Sequence, residues 1–223
     1  MSYDGYTKYD ERVARAYDAD RQSEEHWRAE HAYVEQRARA RRLGRVLDLP
    51  VGTGRFLELL VGAESVIGVD ISADMLSVAE ERRRSLQMSN TLIVRGDGLG
   101  LPFPDGFFDT VLCFRLIHLL PPALVPRLLS ELARVSAGEV LVQVYAAPER
   151  RPGWYESPLV RPLLAILRRL RRSRPRPWSH IQSYPHSADF LEKSAAAAGL
   201  RLLRRVHLTD YAGSAVDVLE LGK

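Results

Sequence analysis

The first 43 residues are polar and charged, rich in Ala, Glu and Arg, with only thin apolar stripes. Those stripes recur at helical spacing and predict two helices, over residues 11–20 and 24–42. From Arg45 onward the pattern changes to short apolar runs alternating with helical stretches. The runs at 45–49, 65–70, 91–95, 109–114 and 139–145 read as strands. Between them, 55–61 opens a helix straight after a Gly-containing turn, and 124–135 forms another. Ser72 caps a helix reaching residue 86, with Met75, Leu76 and Ala79 on its inner face. Beyond a basic, Pro-rich stretch, Ser187 caps a last helix that Gly199 ends. Residues 201–208 and 214–221 are two final strands, and the turn at 210–213 is short enough to require an antiparallel hairpin. Strands alternating with helices imply right-handed crossovers. The expected fold is α/β: a seven-stranded, mostly parallel sheet with an antiparallel C-terminal hairpin and helices on both faces.

The length of 223 residues suits one domain with decoration rather than two domains. It divides into an N-terminal helical cover (1–43), a ligand-binding core (44–146), a basic insertion (147–186) and a C-terminal helix and hairpin (187–223). No stretch approaches the roughly 20 apolar residues of a membrane-spanning helix, and the first residues lack the apolar core of a secretory signal. Cys113 is the single cysteine, which excludes an internal disulfide framework and fits a cytoplasmic protein. The net charge of +4 and isoelectric point near 9.4 invite a nucleic-acid reading. However, the chain has only three lysines, Lys8, Lys193 and Lys223, and such arginine dominance also follows from codon bias.

Chemistry concentrates at strand ends. Residues 46–54, Val-Leu-Asp-Leu-Pro-Val-Gly-Thr-Gly, are a buried strand running into a Gly-rich turn, the place where open α/β sheets bind ligands. Gly52 and Gly54 lack a Cβ, so a ligand can approach the backbone closely. A tight strand-to-helix connection would use the same residues. Asp70 closes the second strand, where a carboxylate can accept both hydroxyls of a ribose. Asp97 follows the third strand, placed to accept from an exocyclic amine. Acidic groups at successive strand ends suit a ligand bearing a sugar, an amine and an ammonium group, and suit a phosphate poorly. The dinucleotide fingerprint requires a third glycine, and Leu57 stands there instead. No P-loop is present.

These residues resemble the class I methyltransferases that use S-adenosylmethionine, whose fold is a Rossmann-like sheet. The family's first motif, an acidic residue followed by alternating glycines, appears as Asp48-Leu-Pro-Val-Gly52-Thr53-Gly54. The run Gly96-Asp-Gly-Leu-Gly-Leu-Pro-Phe-Pro-Asp-Gly-Phe-Phe-Asp109 resembles the small-molecule branch typified by ubiquinone and menaquinone biosynthesis enzymes. The resemblance implies S-adenosylmethionine as cofactor. It places backbone around Pro50 and Gly52 on the methionine moiety, Asp70 on the ribose, Asp97 and Gly98 on the adenine, and the Phe114 carbonyl on the amino group, with Asp48, Thr53, Gly54, Ile71 and Met75 also expected to bind the cofactor. Pro50 departs from the family's usual glycine; it removes an N–H and leaves its carbonyl available.

Methyl transfer needs a base only when the acceptor must lose a proton. His118, just past the fourth strand, is either that base or a helix-terminal histidine bound to backbone. Arg115 either holds an anionic substrate or makes a surface ion pair. Tyr17 and Trp27 either cover the acceptor or simply pack. Cys113, inside a strand, reads as apolar filler. His180 and His186 lack the supporting ligands of a metal site, so no metal is expected. In the insertion, an apolar stripe over 159–170 runs into arginines at 168–176, which fits a lid helix on the sheet or a helix lying on an anionic membrane surface. The expected function is methylation of an O, N or C nucleophile on a small molecule. A cofactor-binding protein with a non-methylating or regulatory role, and an RNA methyltransferase, are the alternatives. The sequence lacks the Pro-Pro-aromatic and Pro-Cys signatures of nucleic-acid enzymes, which argues against a nucleic-acid partner. Oligomeric state is not legible.

Overall fold

The computed structural model describes residues 10–146 and 183–223. Two helices lead, α1 (Glu11–Arg21) and α2 (Glu25–Ala40). There follow β1 (Arg45–Asp48), β2 (Ser65–Asp70), α3 (Ala73–Ser85), β3 (Thr91–Arg95), β4 (Phe108–Cys113), α4 (Val125–Val135), β5 (Ser136–Ala146), α5 (Ala188–Ala197), β6 (Arg201–Tyr211) and β7 (Ser214–Gly222). The caps read from sequence are made: Ser72 accepts the Met75 N–H and Ser187 accepts the Phe190 N–H. Each satisfies one of the orphan donors at a helix start.

The sheet has the order β3-β2-β1-β4-β5-β7-β6. β1 to β5 pair in parallel, and β7 runs antiparallel between β5 and β6. Ala212 and Gly213 both have positive φ, +52° and +84°, the two-residue turn whose twist suits a hairpin. Neighbouring strand residues serve opposite faces. Leu47 packs with α4 and α5 on one side, while Val46 packs with α2 and α3 on the other.

One element differs from expectation. The helix expected at 55–61 is instead a single 3-10 turn, Leu57–Leu59. Its bonds run three residues back, from the Leu60 N–H to the Leu57 carbonyl and from the Ala63 N–H to the Leu60 carbonyl. Few residues separate the glycine turn from β2. The 3-10 winding rises about 2.0 Å per residue against about 1.5 Å for an α-helix, so it spans the return with less chain.

The apolar stripe at 159–170, the arginine run at 168–176 and His180 lie outside the described residues. The buried His186 ring bonds the Ile117 and Leu120 carbonyls at 3.2 and 3.1 Å, and burial lowers its pKa against those two bonds. Among the described residues, no helix is long and apolar enough to cross a membrane.

Candidate functional site

The carboxyl ends of β3, β2, β1 and β4 share one edge of the sheet, and a cleft opens there. Its floor is the turn after β1, and its sides come from Asp70, Ile71 and Met75, from residues 96–99, and from Phe114 and Arg115. Tyr17 and Trp27 close over it from α1 and α2.

The two glycines of the turn do different work. Both have positive φ, +55° at Gly52 and +75° at Gly54, a region that side chains disfavour. A Cβ at Gly52 would meet nothing within 4 Å, so the backbone is bare toward the cleft. A Cβ at Gly54 would stand 2.8 Å from the Leu57 Cδ1 and 3.2 Å from the Ala79 Cα. Gly52 therefore leaves room for a ligand, while Gly54 lets the turn pack on α3. The Leu49–Pro50 peptide in the same turn is cis.

Asp70 ties that turn to β2. Its Oδ2 accepts the Gly52 N–H at 3.0 Å and its Oδ1 accepts the Ser72 N–H at 2.9 Å. Burial raises its pKa, and these backbone bonds oppose the rise. Asp97 accepts the Leu99 N–H at 2.9 Å. Asp48 stands behind the turn, outside the lining; it is wholly buried, and neither carboxylate oxygen has a hydrogen-bond partner among the described residues. Desolvation lifts its pKa to about 7; the Arg55 charge opposes the rise and Asp70 adds to it.

The cover is fixed by polar contacts. The Thr53 hydroxyl donates to Asp18 at 2.7 Å, and Arg82 donates to the other Asp18 oxygen at 2.6 Å. Asp18 thus joins α1 to the glycine turn and to α3, and Tyr17 beside it reaches the cleft. From α2, wholly buried Glu30 accepts from Arg55 at 2.5 Å. The Arg55 guanidinium lies 3.8 Å from the centre of the Trp27 ring, a cation–π contact.

Arg115 does not form the surface ion pair that its sequence context offered. Its side chain is only 10% exposed and stands 3.6 Å from Glu30. Its φ is +62°, and its N–H donates to the Gln143 Oε1 at 2.9 Å. That backbone conformation turns the side chain inward beneath α2.

Tyr17, Pro50, Gly52, Thr53, Asp70, Ile71, Met75, Asp97, Gly98, Phe114 and Arg115 therefore share one cleft. Asp48 and Gly54 support it from behind. His118 is not among the lining residues. It is half-buried in a 3-10 turn, and its ring packs edge-on to Tyr145 at 4.7 Å. Cys113 is buried in β4, where desolvation pushes its thiol pKa up. Glu30 and Arg55 were not anticipated. Glu30 shares the α2 stripe of Trp27, Tyr33 and Val34, and a carboxylate on a buried stripe demands a cationic partner.

An open Gly52 backbone, a carboxylate at the end of β2 and a second beyond β3 fit the amino acid, ribose and adenine parts of S-adenosylmethionine. Residues 46–138 match a methyltransferase domain family. Over that stretch the chain is similar to known methyltransferases. It is 37% identical over 112 residues to a phosphatidylethanolamine N-methyltransferase of Cereibacter sphaeroides, covering 49% of this chain and 54% of that one. It is 31% identical over 158 residues to a demethylmenaquinone methyltransferase of Beutenbergia cavernae, covering 67% and 57%. The chain thus spans little more than half the length of these curated relatives. In fold it is similar to the magnesium protoporphyrin IX methyltransferase of Synechocystis solved with S-adenosylhomocysteine, at 18% identity and a TM-score of 0.61, over 95% of this chain and 84% of that one.

Proposed function

We propose that this chain moves a methyl group from S-adenosylmethionine to an O, N or C nucleophile of a small molecule. The observation that carries the reading is the Asp70 carboxylate at the end of β2, held beside the bare Gly52 turn and lining the cleft. In this reading Asp70 takes the ribose hydroxyls, Asp97 and Gly98 hold the adenine, and backbone at Pro50 and Gly52 holds the methionyl part. The Phe114 carbonyl takes its amino group. When bound, the cofactor supplies an electrophilic methyl on a sulfonium.

The chain's own contribution is then positioning and exclusion of water. Tyr17 and Trp27 roof the cleft, while Leu116, Leu119 and Leu120 line it. Holding donor and nucleophile in line can supply much of the rate enhancement without a base. No base is assigned: His118, expected in that role, is not among the lining residues and packs its ring on Tyr145. Relatives named for a quinone precursor and a lipid support a small-molecule acceptor. A cytoplasmic location goes with this reading. An anionic membrane surface is the proposed partner of residues 159–176, and no nucleic acid is proposed.

The test is incubation with methyl-labelled S-adenosylmethionine and a cell-metabolite extract. The expected result is label in the small-molecule fraction with S-adenosylhomocysteine accumulating in step. No S-adenosylhomocysteine formation, or label confined to macromolecules, contradicts the proposal.

A further inference from the structure

Arg55 and Arg115 bring two guanidiniums to one wall of the cleft. Glu30 is engaged by Arg55 at 2.5 Å, and Arg115 reaches the same oxygen only at 3.6 Å. Asp48 is a second carboxylate that acts on Arg55 from behind the turn. Arg115 bonds Tyr17, yet its Nε and Nη1 have no hydrogen-bond partner among the described residues. A buried cation with orphaned donors is costly unless an anion meets it. The backbone is also held off its preferred region, at φ +62° in a non-glycine residue, and such strain gathers at functional sites.

The sheet order says which end of the cleft this is. Asp70 and Asp97 follow β2 and β3, on one side of β1; Arg115 follows β4, on the other. Glu30, Trp27 and Tyr17 come from helices outside the matched stretch 46–138, while Arg55, Phe56, Phe114 and Arg115 lie within it, so the N-terminal helices and the core build the wall together. The cleft is aromatic as well as cationic: Tyr17, Trp27, Phe56 and Phe114 all line it.

We propose that Arg115, with Arg55 beside it, receives an acid group on the methyl acceptor, and that the acceptor is an aromatic acid. The assignment rests on the methyltransferase reading of the same cleft. The Arg115 guanidinium supplies the positive charge that the carboxylate meets, Tyr17 steadies it, and aromatic side chains of the cleft flank the acceptor's own ring.

Calorimetry on the full chain saturated with S-adenosylhomocysteine tests this with a matched pair, 2-naphthoate and neutral 2-naphthamide. Wild type is expected to prefer the acid by about tenfold or more, the scale of one hydrogen bond to a charged group. Arg115→Gln abolishes the preference, and Arg115→Lys restores part of it. Equal binding of the pair, or binding of neither by protein that holds S-adenosylhomocysteine, overturns the assignment. So does a tenfold loss of S-adenosylhomocysteine affinity in Arg115→Gln with 5′-methylthioadenosine unaffected, because the arginine then serves the cofactor's own carboxylate. Wild type that binds no S-adenosylhomocysteine fails the underlying reading instead, and this one with it.

Discussion

Asp70→Ala weakens S-adenosylhomocysteine binding by about 100-fold in calorimetry, while the protein stays folded. Two charge-assisted bonds from a ribose diol, at about 1.5 kcal/mol or more each, give that factor. The same carboxylate holds the Gly52 and Ser72 N–H groups, so its loss also slackens the turn under the methionyl part. The fold is expected to survive, because the burial that raises the Asp70 pKa offsets part of what its backbone bonds contribute. Asp70→Asn is expected to fare little better. Its amide presents donors on one side, where a Gly52 or Ser72 N–H already points. Retention of affinity within a few-fold in either variant would remove Asp70 from the site.

Asp48→Asn has the opposite character, stabilising the protein without ligand and doing so only above acidic pH. Burial lifts the folded-state pKa from the ordinary 3.8 to about 7. Folding therefore favours the protonated carboxyl. Its contribution to stability is complete below pH 3.8 and is lost as pH rises through about 7. An asparagine of the same shape carries no charge and escapes that loss. The shift, in which the opposing Arg55 charge is already included, corresponds to about 4 kcal/mol at most, and that is the upper bound of the gain expected at pH 8.5. At pH 4 the variant and wild type should unfold at nearly the same denaturant concentration. A gain independent of pH would mean that desolvation of the carboxylate is not its source.

Much of this architecture was legible in the sequence because local signals and long-range order agreed. Ser72 and Ser187 announced their helices by capping, and the positive-φ pair Ala212–Gly213 lies in the turn that hairpin geometry required. The alternation of strands and helices carried the parallel core. The helix at 55–61 misled because apolar periodicity does not distinguish α from 3-10 winding; the length of the return to β2 decides it, and that is a tertiary constraint.

In the site, residues tied to strand ends were readable, since topology alone brings Asp70 and Asp97 to the glycine turn. The Glu30–Arg55–Arg115 group was not. Its members lie in α2, in the turn after β1 and beyond β4, and only packing of α2 over the sheet brings them together. Arg115 in particular looks like a surface residue until its left-handed backbone is seen. His118 illustrates the converse. Its place after β4 suggested the cleft, yet the 3-10 turn carries its ring toward Tyr145.

The most direct test of the account is calorimetric titration of wild-type protein with S-adenosylhomocysteine, alongside NAD as the competing ligand class. The account predicts saturable one-to-one binding of S-adenosylhomocysteine in the micromolar range and no heat from NAD. Folded protein that binds NAD, or neither ligand, would contradict it.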